Sequence, residues 1–179
     1  MKKDPVYKLV FTALMAALVC VATFLRFPFL GSKVHLGNTV CLLAGLLLGG
    51  PMGGLAAGIG SALNDLVSGY PIDEMLVTFV SKFVMAFLCA ALAGRGEKRV
   101  RLFVASAVGA LSYVLLYMLK TFVYRRFVYG LPMDAVWAVM VSKLPASLIN
   151  AVFALVVAPI LFAALRPALQ KAGLLEKMR

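Results

Sequence analysis

From Val34 to Asn64 the chain carries no formally charged residue. As one helix, those 31 residues would measure about 46 Å against a hydrocarbon core of about 30 Å. The run therefore has to fold back on itself. The place to do so is Gly49-Gly50-Pro51-Met52-Gly53-Gly54, because Pro51 lacks a backbone donor and the glycines lack a β-carbon. The expectation is two short antiparallel helices, 36–50 and 52–68, joined by a tight turn. Gly45, Gly49, Gly54, Ala57, Gly58 and Ala62 let backbones approach closely, which is how helices associate in lipid, where apolar burial gives little drive. The second helix ends on Asn64-Asp65, a polar end that packing alone does not explain.

A chain that is 63% hydrophobic and 14% charged is too apolar for a soluble domain, in which apolar residues make up about half. It reads as an all-α integral membrane protein, a single domain over 1–179 with spans at 6–25, 36–50, 52–68, 75–93, 102–124 and 136–165. The second and third are shorter than the roughly 20 residues a span needs. A re-entrant pair with four full spans is the alternative. The apolar run after Met1-Lys2-Lys3-Asp4-Pro5 outlasts a signal-peptide core and is kept as a span. Cys20, Cys41 and Cys89 lie inside apolar runs without metal-ligand spacing and read as inert.

The net charge of +11 is dispersed between spans, which fits membrane topology better than nucleic-acid binding. With a cytoplasmic N-terminus, that side holds Lys2, Lys3, Lys8, Arg95, Lys98, Arg99, Arg101, Arg166, Lys171, Lys177 and Arg179, 11 of the 18 Lys and Arg residues. Arg26, Lys33, Arg125 and Arg126 fall opposite. Both termini inside is the expected orientation in a bacterial cytoplasmic membrane.

Charge within a membrane is costly, so Lys82, Lys120 and Lys143 are functional candidates. At helical spacing Thr78 shares a face with Lys82, Tyr113 and Tyr117 with Lys120 and Tyr124, Ser147 and Asn150 with Lys143, while Ser61, Asn64, Asp65 and Ser68 form a polar end. At 1.5 Å per residue, Lys82 and Tyr117 lie about 10 Å below the outer end of their spans, Lys143 about 10–14 Å and Asp65 about 5 Å. That describes a pocket open to the outside and closed below. A structural ion pair of Asp65 with Lys82 or Lys143 competes with ligand contact, and one acid cannot neutralise two lysines. The tyrosines offer an aromatic wall with polar tips, although Tyr124 and Tyr129 read better as an interfacial belt. His35, beside Asn38, stands in an outer loop as a lid contact or an ordinary surface residue.

No phosphate loop, HExxH or GxSxG motif is present, so no catalytic residue, metal or cofactor is expected. His35-Leu36-Gly37-Asn38, the LLAGLLLGGP run, Gly60-Ser61-Ala62-Leu63-Asn64-Asp65 with Ser68-Gly69-Tyr70-Pro71, and Ala13-xxx-Ala17 on the first span together resemble the substrate-binding S components of energy-coupling factor (ECF) vitamin transporters. The resemblance covers nearly the whole chain. It implies capture of a small vitamin from outside, then coupling to a membrane subunit and two cytoplasmic ATPases that use the ATP. It implies that Ala13 and Ala17 face the coupling subunit and that 28–38 is the gate. It implies a pocket holding Lys82, Lys143, Asn150, Tyr113, Tyr117, Thr78, Asp65, Asn64, His35 and Asn38. A pyridoxine-type vitamin is the first expectation, then pantothenate, hydroxymethylpyrimidine or riboflavin. The competing class is a self-contained proton-coupled carrier or channel in which Asp65 is the coupling acid.

Overall fold

The computed structural model describes residues 5–29, 32–94, 96 and 98–178. Lys2, Lys3, Arg95 and Arg179 of the charge count, and Leu30 and Gly31 of the expected gate, lie outside the described residues. The elements run α1 (Pro5–Phe24), β1 (Arg26–Phe29), β2 (Ser32–His35), α2 (Gly37–Leu48), α3 (Gly50–Val67), α4 (Ile72–Ala93) and α5 (Arg99–Val123). A π-turn (Tyr124–Val128), α6 (Met133–Lys171) and a short α7 (Leu174–Met178) follow. Successive long helices run antiparallel. One end of the bundle therefore carries β1–β2, the α3–α4 loop and the π-turn; the other carries the α2–α3 turn.

Among the described residues four helices are long and apolar enough to cross a membrane: α1, α4, α5 with its π-turn, and α6. The chain is a multi-pass membrane protein. The other two helices of the bundle differ from spans in an instructive way. Helix α2 has 12 residues, about 18 Å, and is buried almost all round, Gly37 to Thr39 and Cys41 to Leu48 being covered. It packs against α1, α3, α4 and α6. A helix that is apolar on every side belongs inside a bundle, and one walled off by its neighbours need not match the bilayer in length.

The chain turns at Gly49, whose φ of 82° is the left-handed region that a side chain disfavours. Pro51 sits in the first turn of α3, where its missing donor is not needed; it starts the helix rather than breaking one. Contact is close on both sides of that turn. A β-carbon on Gly45 would meet the Ala86 carbonyl, one on Gly53 the Ala44 carbonyl at 2.7 Å, and one on Gly60 the Ala16 carbonyl. Against Gly54 and Gly58, α4 lays Phe83 and Phe79, part of a stacked row with Phe87 at centroid spacings of 6.3 and 5.8 Å.

Two departures from expectation matter for the site. The segment read as an irregular loop contains an antiparallel hairpin, with Arg26 opposite His35 and Phe27 opposite Val34. Helix α6 is a single 39-residue rod that carries Pro145, Pro159 and Pro167 internally, longer than the expected 136–165. Neighbouring helices in a bundle re-satisfy the carbonyls that such prolines free.

Candidate functional site

The polar faces of α3, α4, α5 and α6 converge under the hairpin on a two-lobed cavity. One lobe measures about 370 Å³ and the other about 210 Å³. Thr23, His35, Asp65, Tyr70, Tyr113, Tyr117 and Lys143 border both. Thr78, Ser81, Lys82, Lys120, Tyr124, Arg125 and Tyr129 line the larger lobe; Asn64, Ser147 and Asn150 line the smaller.

Lys82 is the floor. It is 3% exposed, donates to Asn38 Oδ1, and holds its ammonium 3.6 Å from the Tyr113 ring centroid. Neither contact is a carboxylate. The aromatic face supplies the partial negative charge that a desolvated cation needs. The same pairing recurs toward the open side: Lys143 lies 5.6 Å from the Tyr117 centroid, Lys120 5.6 Å from Tyr124, and Arg125 5.2 Å from Tyr129. The tyrosine stripe of α5 is therefore engaged as a row of cation partners. Tyr124 and Tyr129, expected in an interfacial belt, also line the cavity.

The expected Asp65 ion pair is absent among the described residues. Asp65 takes a hydrogen bond from Thr78, with the charges of Lys120 and Lys82 nearby. The ion pair present is Lys120 with Glu74 at 2.9 Å, and Asp73 accepts from the Tyr124 hydroxyl at 2.7 Å. The early start of α4, at Ile72 rather than 75, puts Asp73 and Glu74 in its first turn, where carboxylates suit the helix dipole and reach α5. Four cations thus face two carboxylates around the larger lobe.

Asn38 and Asn150 do not take the places expected of ligand contacts. Asn38 is 1% exposed, lies behind Lys82 and does not border the cavity; its Nδ2 has no hydrogen-bond partner among the described residues. Asn150 borders the smaller lobe, but its carboxamide is spent on the hairpin. Its Oδ1 accepts the His35 backbone N–H at 2.9 Å and its Nδ2 donates to the Lys33 carbonyl at 2.8 Å. It completes the free edge of β2 much as a neighbouring strand would. Arg26 reaches Ser68, and Lys33 reaches the Tyr70 hydroxyl at 3.2 Å, so the hairpin is tied to α3 and α6.

His35 closes the hairpin over the cavity. Its Nδ1 accepts the Gly37 N–H at 3.1 Å, which requires the neutral ring. Burial, reinforced by Lys82, Arg26 and Lys33, pushes its pKa down to about 3.

Thr23, Tyr70, Glu74 and Arg125 border the cavity without having stood out in the sequence. Thr23 and Tyr70 come from segment ends that carry no periodic signal, whereas Arg125 follows Tyr117 and Thr121 at four-residue spacing on the cavity face. On the bundle's exterior, Ala13 and Ala17 of α1 are exposed while Ala16 between them is buried against Gly60.

The sequence profile of the family described as "ECF-type riboflavin transporter, S component" matches residues 3–167. No curated protein matches the chain. Among solved structures, one titled "Structure and mechanism of the S component of a bacterial ECF transporter" superposes with a TM-score of 0.74 at 16% identity, covering 93% of this chain and 99% of that one. At that identity the likeness speaks to the fold.

Proposed function

The chain belongs to the family of S components of ECF-type riboflavin transporters, and from that premise we propose that it is the substrate-capture subunit of an ATP-driven importer for a small water-soluble vitamin. One observation carries this reading: a polar, cation-rich cavity opens at one end of a bundle whose other half is packed backbone to backbone through glycine and alanine. Such a molecule holds a solute on one side and offers it no path through by itself.

On this reading the chain passes the membrane six times, both termini are cytoplasmic and the hairpin end faces outside. Ala13 and Ala17 form the face that meets a membrane-embedded coupling subunit, and two cytoplasmic ATPases supply the energy. The chain has no catalytic role of its own. Tyrosine walls, with Lys82 and Lys143 on aromatic rather than carboxylate partners, support a flat heteroaromatic ligand with an acidic or acceptor group. A pyridoxine-type vitamin is the first assignment. Riboflavin is the second, favoured by the family description.

The test is mass spectrometry of ligand released from detergent-purified protein, followed by calorimetric titration. A bound vitamin names the substrate. Lys82→Ala and Lys143→Ala then weaken binding about tenfold or more, the scale of one lost charge-assisted contact. Ala13→Trp retains binding and abolishes coupled uptake. An empty protein that ignores a vitamin panel, with uptake following the proton gradient rather than ATP, overturns the reading in favour of a carrier that uses Asp65.

A further inference from the structure

The cations of the larger lobe are not equally committed. Lys82 is bound at the floor by Asn38 and Tyr113, and Lys120 is neutralised by Glu74 at 2.9 Å. Arg125 and Lys143 have no carboxylate partner among the described residues. Each rests on a tyrosine; the Arg125 charge acts on Lys143 more strongly than the opposing charge of Glu74, which is already bonded to Lys120. Two like charges brought together at the open side of a half-buried cavity repel, and a tyrosine face offsets only part of that.

Arg125 follows Tyr117 and Thr121 at four-residue spacing on the cavity face, and the backbone beyond it brings Tyr129 beneath it. The Tyr129 N–H bonds to the Tyr124 carbonyl at 2.9 Å, an i to i+5 bond that inserts one residue into the last turn. In an α-helix the residue following Tyr124 on the cavity face would be Val128. With the extra residue, Tyr129 takes that place and borders the cavity, which Val128 does not. Arg125 then lies over Tyr129 and borders the cavity. Single π-turns are frequent at functional sites and also occur as helix C-terminal endings.

We propose that Arg125 and Lys143 form an oxyanion subsite at the open side of the cavity, and that the captured molecule is a vitamin form carrying a carboxylate or phosphate monoester on its tail. The inference rests on the capture reading and sharpens it. The ring lies toward Lys82 and the anionic tail toward the π-turn. A guanidinium offers the tail two parallel donors, and the ammonium of Lys143 adds a point charge from the facing helix. Neutral vitamins of the same ring leave the two cations facing each other and bind more weakly.

Titration calorimetry on three matched pairs tests this: pyridoxine and its 5′-phosphate, riboflavin and its 5′-phosphate, and panthenol and pantothenate. Within a pair that binds, the charged member binds about tenfold tighter or more, the worth of one charge-assisted contact. That ratio shrinks as salt rises from about 0.05 to 0.5 M. Arg125→Gln and Lys143→Gln each collapse the ratio toward one, and Arg125→Lys restores part of it. Circular dichroism and gel filtration establish that the variants fold. Equal binding of both members, or a ratio unchanged in both glutamine variants, overturns the subsite while leaving vitamin capture in place. Failure of all six compounds to bind removes the capture reading and the subsite with it.

Discussion

The two ends of this bundle are built on opposite rules. At the Gly49 end and along the α1–α3 contact, helices touch through backbone: Gly45 on Ala86, Gly53 on Ala44, Gly60 on Ala16. At the hairpin end they stand apart around a cavity and meet through long side chains, Lys120 with Glu74, Tyr124 with Asp73, Asn150 with the β2 edge. In lipid, close approach of small residues supplies dispersion and association, whereas buried cations without carboxylates weaken the assembly. The contrast teaches that stability is concentrated in one half, so that the other can hold charges poised for a ligand. Stored strain of that kind collects at functional sites.

The sharpest way to break the comparison is to open the tight half. Gly60→Val drives a side chain into the Ala16 carbonyl and is expected to cost about 3 kcal/mol or more, lowering the thermal midpoint in detergent by about 6–12 °C. An unchanged midpoint would mean that α1 and α3 are not in backbone contact.

Next in size is the hairpin latch. Asn150→Ala leaves two β2 backbone groups without their partners, worth about 2 kcal/mol. Exchange of the His35 amide accelerates about tenfold or more, while exchange within α2 stays the same. Asn150→Asp, which keeps the acceptor and loses the donor, falls between. Acceleration spread over both ends would contradict the division.

His35 gives a pH dependence with a definite sign. Its folded pKa of about 3 lies below the unfolded value of about 6.5. The neutral ring therefore contributes fully above pH 6.5, and stability falls as the pH drops from about 6.5 toward 3, by no more than about 1.4 kcal/mol per unit. Relative to His35→Gln, the wild type loses stability on going from pH 7 to pH 5. Parallel curves for the two proteins would show the ring to be charged or solvated.

The smallest effect belongs to the Lys120–Glu74 pair, with side chains 15% and 21% exposed. A double-mutant cycle in thermal unfolding is expected to give a coupling of about 1 kcal/mol or less, screened by salt.

Much of the site was legible because helical spacing is rigid. Once Lys82, Tyr113, Tyr117, Lys143 and Asp65 are placed on helices, spacing sets which face each occupies, and all of them border the cavity. Pairing was not legible. Which acid meets which lysine depends on helix rotation and on where α4 starts, and three residues of extra helix brought Glu74 to Lys120. The role of Asn150 was hidden for a related reason: its partner is the backbone of a hairpin distant in sequence.

The sequence by itself determined an apolar helical bundle in a membrane, the reversal near Gly49 and the polar stripes on one half, since charge-free length, missing β-carbons and 3.6-residue periodicity are local properties. Tertiary structure alone decided that a 12-residue helix lies at the centre, that Lys82, Lys143 and Arg125 rest on tyrosine faces while Lys120 meets Glu74, and that a π-turn brings Tyr129 to the cavity wall. Each of these depends on which surfaces of distant segments come into contact, and local periodicity carries no record of that.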